Sequence, residues 1–180
     1  MVNNLLVVIV VVFRILAAIY IFFNIFWGFL VTLVFDFIDA YFLRQKAKLS
    51  WNRYQLVDKA LDIIPYSVML IVSIKYGVFS FLLLLFIYRL IGEILFFVTK
   101  KTFYLILFPN FFSIAFILFV FLQEVGINFD ISSVKYFVLM LFFFLLQIIF
   151  EIVLHKIWPK HIRKRGYPSF VRKLGYIRRG

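Results

Sequence analysis

Four of the chain's eight acidic residues fall in one stretch, at Asp36, Asp39, Asp58 and Asp62. They stand at the mouths of two segments otherwise apolar enough to lie in a bilayer, where a carboxylate is expensive and marks a functional position by default. Asp36 and Asp39 are three residues apart, and Asp58 and Asp62 are four apart. Residues at those spacings share a helix face. The polar link from Leu43 to Arg53 carries Arg44, Lys46, Lys48 and Arg53, and it is short enough to make the two helices neighbours whose acidic faces meet. Four carboxylates brought together repel unless something positive sits among them. A hard divalent cation is the economical answer, because Mg²⁺ and Mn²⁺ prefer oxygen ligands and are often completed by substrate phosphates. The spacing therefore predicts a Mg²⁺ or Mn²⁺ site at the membrane surface that handles a diphosphate. A plainer reading pairs these acids with Arg44, Arg53, Lys59 and other nearby cations and has them only fix helix ends.

The same residues resemble the signature of the CDP-alcohol phosphatidyltransferases, D-x-x-D-G-x-x-A-R, eight or nine residues, G-x-x-x-D-x-x-x-D. The four aspartates and Arg44 stand at the signature's positions with a permitted gap of nine residues. Ala40 replaces the first glycine, Leu43 the alanine and Tyr54 the second glycine. The signature covers about a sixth of the chain, and chain length and span count extend the likeness. The resemblance implies that Asp36, Asp39 and Asp58 are metal ligands and that Asp62 is the base that deprotonates an acceptor alcohol, near the metal as well. It also implies a donor-facing surface at Ala40, Arg44 and Tyr54. In that family the glycines let the nucleotide diphosphate approach the backbone, a common use of a missing side chain. A ring at Tyr54 enters that space, so the donor is held differently, is not the usual CDP-linked lipid, or is no longer turned over.

The elements that position these residues follow from composition. With 180 residues, 66% of them hydrophobic, 27 phenylalanines and a mean hydropathy of +1.07, the chain is no soluble domain. It reads as an all-α, polytopic membrane helical bundle with room for about six spans of roughly 20 residues. The absence of cysteine excludes disulfides and thiolate metal sites. A formal net charge of +12 suits anionic membrane lipids, and no soluble domain is left for nucleic acid.

Six spans are expected. The first, about 5–22, is broken by Arg14, and with no basic n-region and apolarity that continues past any cleavage point it reads as a retained entry helix rather than a cleaved signal peptide. Asn4 to Arg14 also resembles the family's N-terminal helix, which commonly carries an arginine there. Asn24 marks a tight turn into span two, about 25–43. Span three starts among the acids and runs to about Tyr76, with Pro65 expected to kink it or be accommodated by neighbours; Gly77 marks the turn. Span four, about 78–98, carries Arg89 and Glu93 on one face, either an intramembrane ion pair that locks two helices or an arginine that binds the phosphate or carboxylate of an acceptor. Lys100-Lys101-Thr102 forms a basic turn. Some relatives carry a Gly-Lys-x-Lys-Thr stretch in this region, so Lys100 and Lys101 join Arg89 as candidates to face an anionic acceptor. Span five, about 103–123, is interrupted by Pro109-Asn110, and span six, about 133–154, ends near Gln147 and Glu151. The loop 124–132, with Glu124, Gly126, Asn128 and Asp130, reads as solvated, and His155 and His161 as surface histidines.

These spans make one membrane domain, 1–157, followed by a basic aromatic tail, 158–180. From His155 to Gly180 there are nine Lys or Arg and no acid, interleaved with Trp158, Tyr167, Phe170 and Tyr176, a pattern that lies on a membrane surface. The loops after spans two and four share the tail's positive charge, so the positive-inside rule places the motif and both termini in the cytoplasm.

The function expected is metal-dependent transfer of a phosphatidyl-type group from a CDP-linked lipid donor to a small alcohol acceptor with release of CMP. Relatives are often homodimers, so a homodimer is expected too. The alternatives are a degenerate relative that binds metal or lipid or assists a partner without catalysis, and a small ion transporter. A transporter would spread its acids toward the midplane, whereas these cluster at one surface.

Overall fold

The computed structural model describes residues 3–127 and 133–157. Asn128, Asp130, His161 and the aromatic and basic tail from Trp158 onward lie outside the described residues. The fold is an all-α bundle, with no strand among the described residues.

Helices α1 (Asn4–Phe23) and α2 (Ile25–Ala40) form a hairpin around Asn24. Its backbone is extended, with φ −152°, so it cannot continue either helix. Its N–H closes α1 by donating to Tyr20 O at 3.0 Å, and its side chain caps α2 by accepting from the Trp27 N–H at 2.9 Å. The helices then pack tightly because Gly28 has no side chain: a Cβ there would lie 2.5 Å from the Ile21 backbone. A wider π-helical turn, Tyr41–Lys46, extends α2 to the link.

Helix α3 (Trp51–Val72) runs through Pro65 without interruption and ends in a single 3₁₀ turn at Ser73–Tyr76 before Gly77. Helix α4 is Phe79–Thr99. The fifth span is divided as its proline predicts. Helix α5 (Phe103–Leu107) stops before Pro109, Asn110 caps α6 (Phe111–Phe116) by accepting from Ser113 N–H at 3.2 Å, and a π-helical stretch (Ile117–Phe121) leads into α7 (Leu122–Glu124). Helix α8 (Val134–Ile152) closes the bundle and ends in a π-helical turn, Val153–Ile157.

Among the described residues, five segments are long and apolar enough to cross a membrane: Asn4–Phe23, Ile25–Arg44, Phe79–Thr99, Phe103–Glu124 and Val134–Lys156. The sixth long helix, α3, has the length but carries Arg53, Asp58, Lys59 and Asp62 in its first half. The core runs between α1–α2 and α6 through Ile21, Phe29 and Phe116, and between α3 and α6 through Tyr66 and Phe112. Large apolar side chains such as Leu84, Val98, Val134 and Leu145 point outward, as they would toward lipid. Chain alternation brings the C-terminal ends of α2, α4 and α8 and the N-terminal ends of α3 and α5 to one end of the bundle.

The hairpin makes a testable demand. Gly28→Leu forces a side chain into the Ile21 backbone, and overpacking of this kind costs about 1–3 kcal/mol. A clear fall in the thermal unfolding midpoint of the micelle-bound protein is expected, with little change for the same substitution at the exposed, loosely surrounded Val98.

Candidate active site

The four aspartates converge, and the group at their centre is Arg14 of α1. Its Nη2 donates to Asp36 Oδ1 and Asp62 Oδ1, both at 2.7 Å, and its Nη1 donates to Asp58 Oδ1 at 3.1 Å and to Asp39 Oδ2. One guanidinium therefore ties three helices through four charge-assisted hydrogen bonds, the use to which a planar fork of donors is best suited. Lys59 completes the node, with Nζ 2.8 Å from Asp58 Oδ2 and 2.7 Å from Asp62 Oδ2. Of the cations that could have paired with the acids, Lys59 does so. Arg53 is exposed, and the Arg44 guanidinium lies over the Trp51 ring at 4.5 Å.

Sequence reasoning named Lys59 only as a possible partner of the acids in its plainer reading, and left Arg14 out of the site. For Arg14 a signal was present. The hairpin turns at Asn24, Arg14 lies ten residues before it and Asp36 twelve after it. At 1.5 Å per residue the two sit about 15 and 18 Å from the turn, at nearly the same depth. An arginine in a span needs a partner, and Asp36 is the acid at its level.

Arg14, Asp39, Asp58, Lys59 and Asp62 are all buried, while the Asp36 side chain is 49% exposed, so the site opens on that side. Leu43, four residues after Asp39, and Tyr54, four before Asp58, belong to a buried apolar cluster with Val10, Ala47 and Leu49, with Ala40 and Trp51 packed against it. Leu43 and Tyr54, two of the bulky replacements in the signature, thus fill space side by side next to the acids. The Trp51 and Tyr54 rings lie 5.7 Å apart.

The donor set fits a hard divalent cation. Asp36, Asp58 and Asp62 each offer a carboxylate oxygen within 4.8 Å of the others. Asp39 Oδ1 is buried and has no hydrogen-bond partner, an arrangement that costs free energy unless a ligand meets it. Four carboxylates against one guanidinium and one ammonium leave two formal negative charges, which a single Mg²⁺ or Mn²⁺ would neutralise.

Arg89 belongs to a second polar knot. It is 2% exposed. Its Nε donates to Glu93 Oε1 at 3.1 Å, and its Nη1 donates to Phe108 O at 2.8 Å, Leu105 O at 3.3 Å and Glu151 Oε1 at 3.3 Å. Glu151 also accepts from the Asn110 N–H at 3.2 Å and from Gln147 Nε2 at 3.3 Å. Asn110 Nδ2 in turn donates to Tyr66 Oη at 2.7 Å. Gly92 permits the close approach, since a Cβ there would lie 2.4 Å from Phe108 Cβ. The contacts of Arg89 are those of a lock between α4, the α5–α6 break and α8. His155 is not at the surface: it is buried with Nε2 3.0 Å from Glu151 Oε2, four residues on and so on the same helix face as that acid. Lys100 and Lys101 are exposed at the end of the bundle, where Lys100 ends α4 in the left-handed region at φ 59°.

Comparison of the chain with protein-family models, with curated proteins and with solved structures returns no match.

Both knots bind helices, and breaking a buried ion pair on one side costs about 3–5 kcal/mol. Arg14→Met and Arg89→Met are each expected to lower the unfolding midpoint sharply in micelles. Adding Asp39→Asn to the first and Glu151→Gln to the second should recover part of the loss. Recovery in neither pair would mean that these contacts do not hold the fold.

Proposed function

We propose that this chain is an integral membrane phosphotransferase, dependent on Mg²⁺ or Mn²⁺, that moves a phosphatidyl-type group from a CDP-linked lipid to the hydroxyl of a small alcohol. The observation that carries this reading is the convergence of Asp36, Asp39, Asp58 and Asp62 on one point at one end of a bundle of apolar helices. It is the arrangement that the resemblance to the CDP-alcohol phosphatidyltransferases calls for. Asp36, Asp39 and Asp58 would hold the metal, which when bound stabilises charge on the attacked phosphate and the departing CMP. Asp62 takes the proton of the acceptor hydroxyl as the new P–O bond forms and the phosphoanhydride bond to CMP breaks. Lys59, held on the second oxygen of Asp62, fixes the orientation of that carboxylate. Arg14 keeps the acids of α2 and α3 in register.

With Arg89 spent inside the bundle, the exposed Lys100 and Lys101 at the same end are the basic residues left to attract an anionic acceptor. The excess of Lys and Arg in the link, the turn after α4 and the tail supports a cytoplasmic site and cytoplasmic termini. The same basic surface suits anionic lipids.

A second reading, a relative that binds lipid or metal without turnover, is favoured by one observation: Tyr54 and Leu43 pack together beside the acids, where the signature has small residues. CMP release separates the two. The purified protein in lipid, with CDP-diacylglycerol, Mg²⁺ or Mn²⁺ and a panel of alcohols, is expected to release CMP in an acceptor- and metal-dependent way. Asp58→Asn should reduce the rate by at least a hundredfold. Absence of CMP with every acceptor, from folded protein, would overturn the transferase. A Tyr54→Gly variant that then gained activity would assign the block to that ring.

A further inference from the structure

The oxygens of the acidic site are not equally available. Lys59 Nζ lies between Asp58 Oδ2 and Asp62 Oδ2, at 2.8 and 2.7 Å, and the Oδ1 atoms of the same residues face Arg14 at 3.1 and 2.7 Å. Every carboxylate oxygen that α3 contributes is thus already met by a cation of the chain itself. On α2 the position differs. Arg14 engages Oδ1 of Asp36 and Oδ2 of Asp39, while Asp39 Oδ1 is buried without a hydrogen-bond partner and Asp36 opens to the outside. A second divalent ion would need further free carboxylate oxygens, and Lys59 already stands on the Oδ2 atoms of Asp58 and Asp62. A lysine ammonium is a compact point charge with three donors. It can hold two carboxylates together as a bridging ion would, with half the charge.

We propose that the site takes one divalent cation, not two, and that Lys59 is a built-in replacement for the second. The oxygens turned away from Lys59 would hold the ion: those of Asp36 and Asp39, and the Oδ1 atoms of Asp58 and Asp62, which are shared with Arg14. This inference rests on the metal-dependent reading above and narrows it. Four carboxylates, Arg14, Lys59 and one divalent ion are formally neutral, whereas a second divalent ion would leave two positive charges buried before any phosphate arrives, an expensive state. Because Lys59 is covalently part of α3, Asp58 and Asp62 stay paired when the ion is removed.

The test is the number of Mn²⁺ ions bound by the full chain in lipid nanodiscs without nucleotide, read from loss of the free Mn²⁺ paramagnetic resonance signal. One ion per wild-type chain is expected, one in Lys59→Arg, and two in Lys59→Met, with Lys59→Gln carrying the same expectation where the methionine variant does not fold. Two ions on the wild-type chain would overturn the inference and leave the metal-dependent reading intact, as would a single ion on a folded Lys59→Met or Lys59→Gln protein. No ion on the wild-type chain at millimolar Mn²⁺ would overturn both.

Discussion

The interaction on which the rest of the structure depends is the ring of four aspartates around Arg14. In lipid there is little apolar driving force between helices, because the tails are as apolar as leucine. The Phe- and Leu-rich faces of this bundle therefore pack without choosing their register. A guanidinium that must meet carboxylates from α2 and α3 at one depth does choose it. The cost of separating any one helix is an uncompensated charge in a medium that cannot solvate it. The hairpin at Asn24 brings Arg14 to the level of Asp36, and the i, i+3 and i, i+4 spacings supply the other oxygens. The fold of the first half of the chain is thus set by the same residues that could do its chemistry.

The second half is organised by the same logic at another point. Pro109 breaks the fifth span, which releases the carbonyls of Leu105 and Phe108 from helical bonding, and Arg89 collects both. Glu151 accepts from the guanidinium and from the freed N–H of Asn110. Irregular backbone at membrane depth is tolerated where other groups satisfy it, and here one arginine and one glutamate do so. The Asn110 side chain then reaches Tyr66 of α3, which links this knot to the helix that carries Asp58 and Asp62.

Much of this was legible in the residues. Apolar runs gave the spans, Asn24 and Pro109-Asn110 gave the breaks, and the paired spacings gave the acidic faces. What was not legible depends on which helix faces which. The carboxylates of α2 and α3 predict that a positive group stands among them, but its identity requires the position of α1, which only counting residues either side of Asn24 supplies. His155 looked like a surface residue because a charged stretch follows it. It lies four residues after Glu151, and because the helical chain continues through it the imidazole stays on the same face, against that acid. Leu43 and Tyr54 lie eleven residues apart across a link, and their mutual packing with Val10 is again a fact of tertiary structure.

The two knots contain the same kinds of residue, and what separates a structural lock from a binding site is their charge count. Around Arg89 stand two glutamates and an imidazole, so a single proton shared among Glu93, Glu151 and His155 closes the group to neutrality. Such a knot closes its charge without a metal ion, although Glu93 Oε2 stays buried without a hydrogen-bond partner. Around Arg14 the four aspartates outnumber Arg14 and Lys59 by two, and closure demands two protons or one divalent ion. The surplus is not distributed at random. The oxygens of Asp58 and Asp62 are all met by cations, and within this cluster the buried oxygen without a hydrogen-bond partner is on Asp39, one helical turn from Asp36, where the site opens. An unpaired oxygen alone does not tell the two apart, since Glu93 Oε2 is also buried without a hydrogen-bond partner. What differs is that the surplus around Arg14 is two charges and lies beside a carboxylate open to the outside, the condition under which a divalent cation could enter and close it.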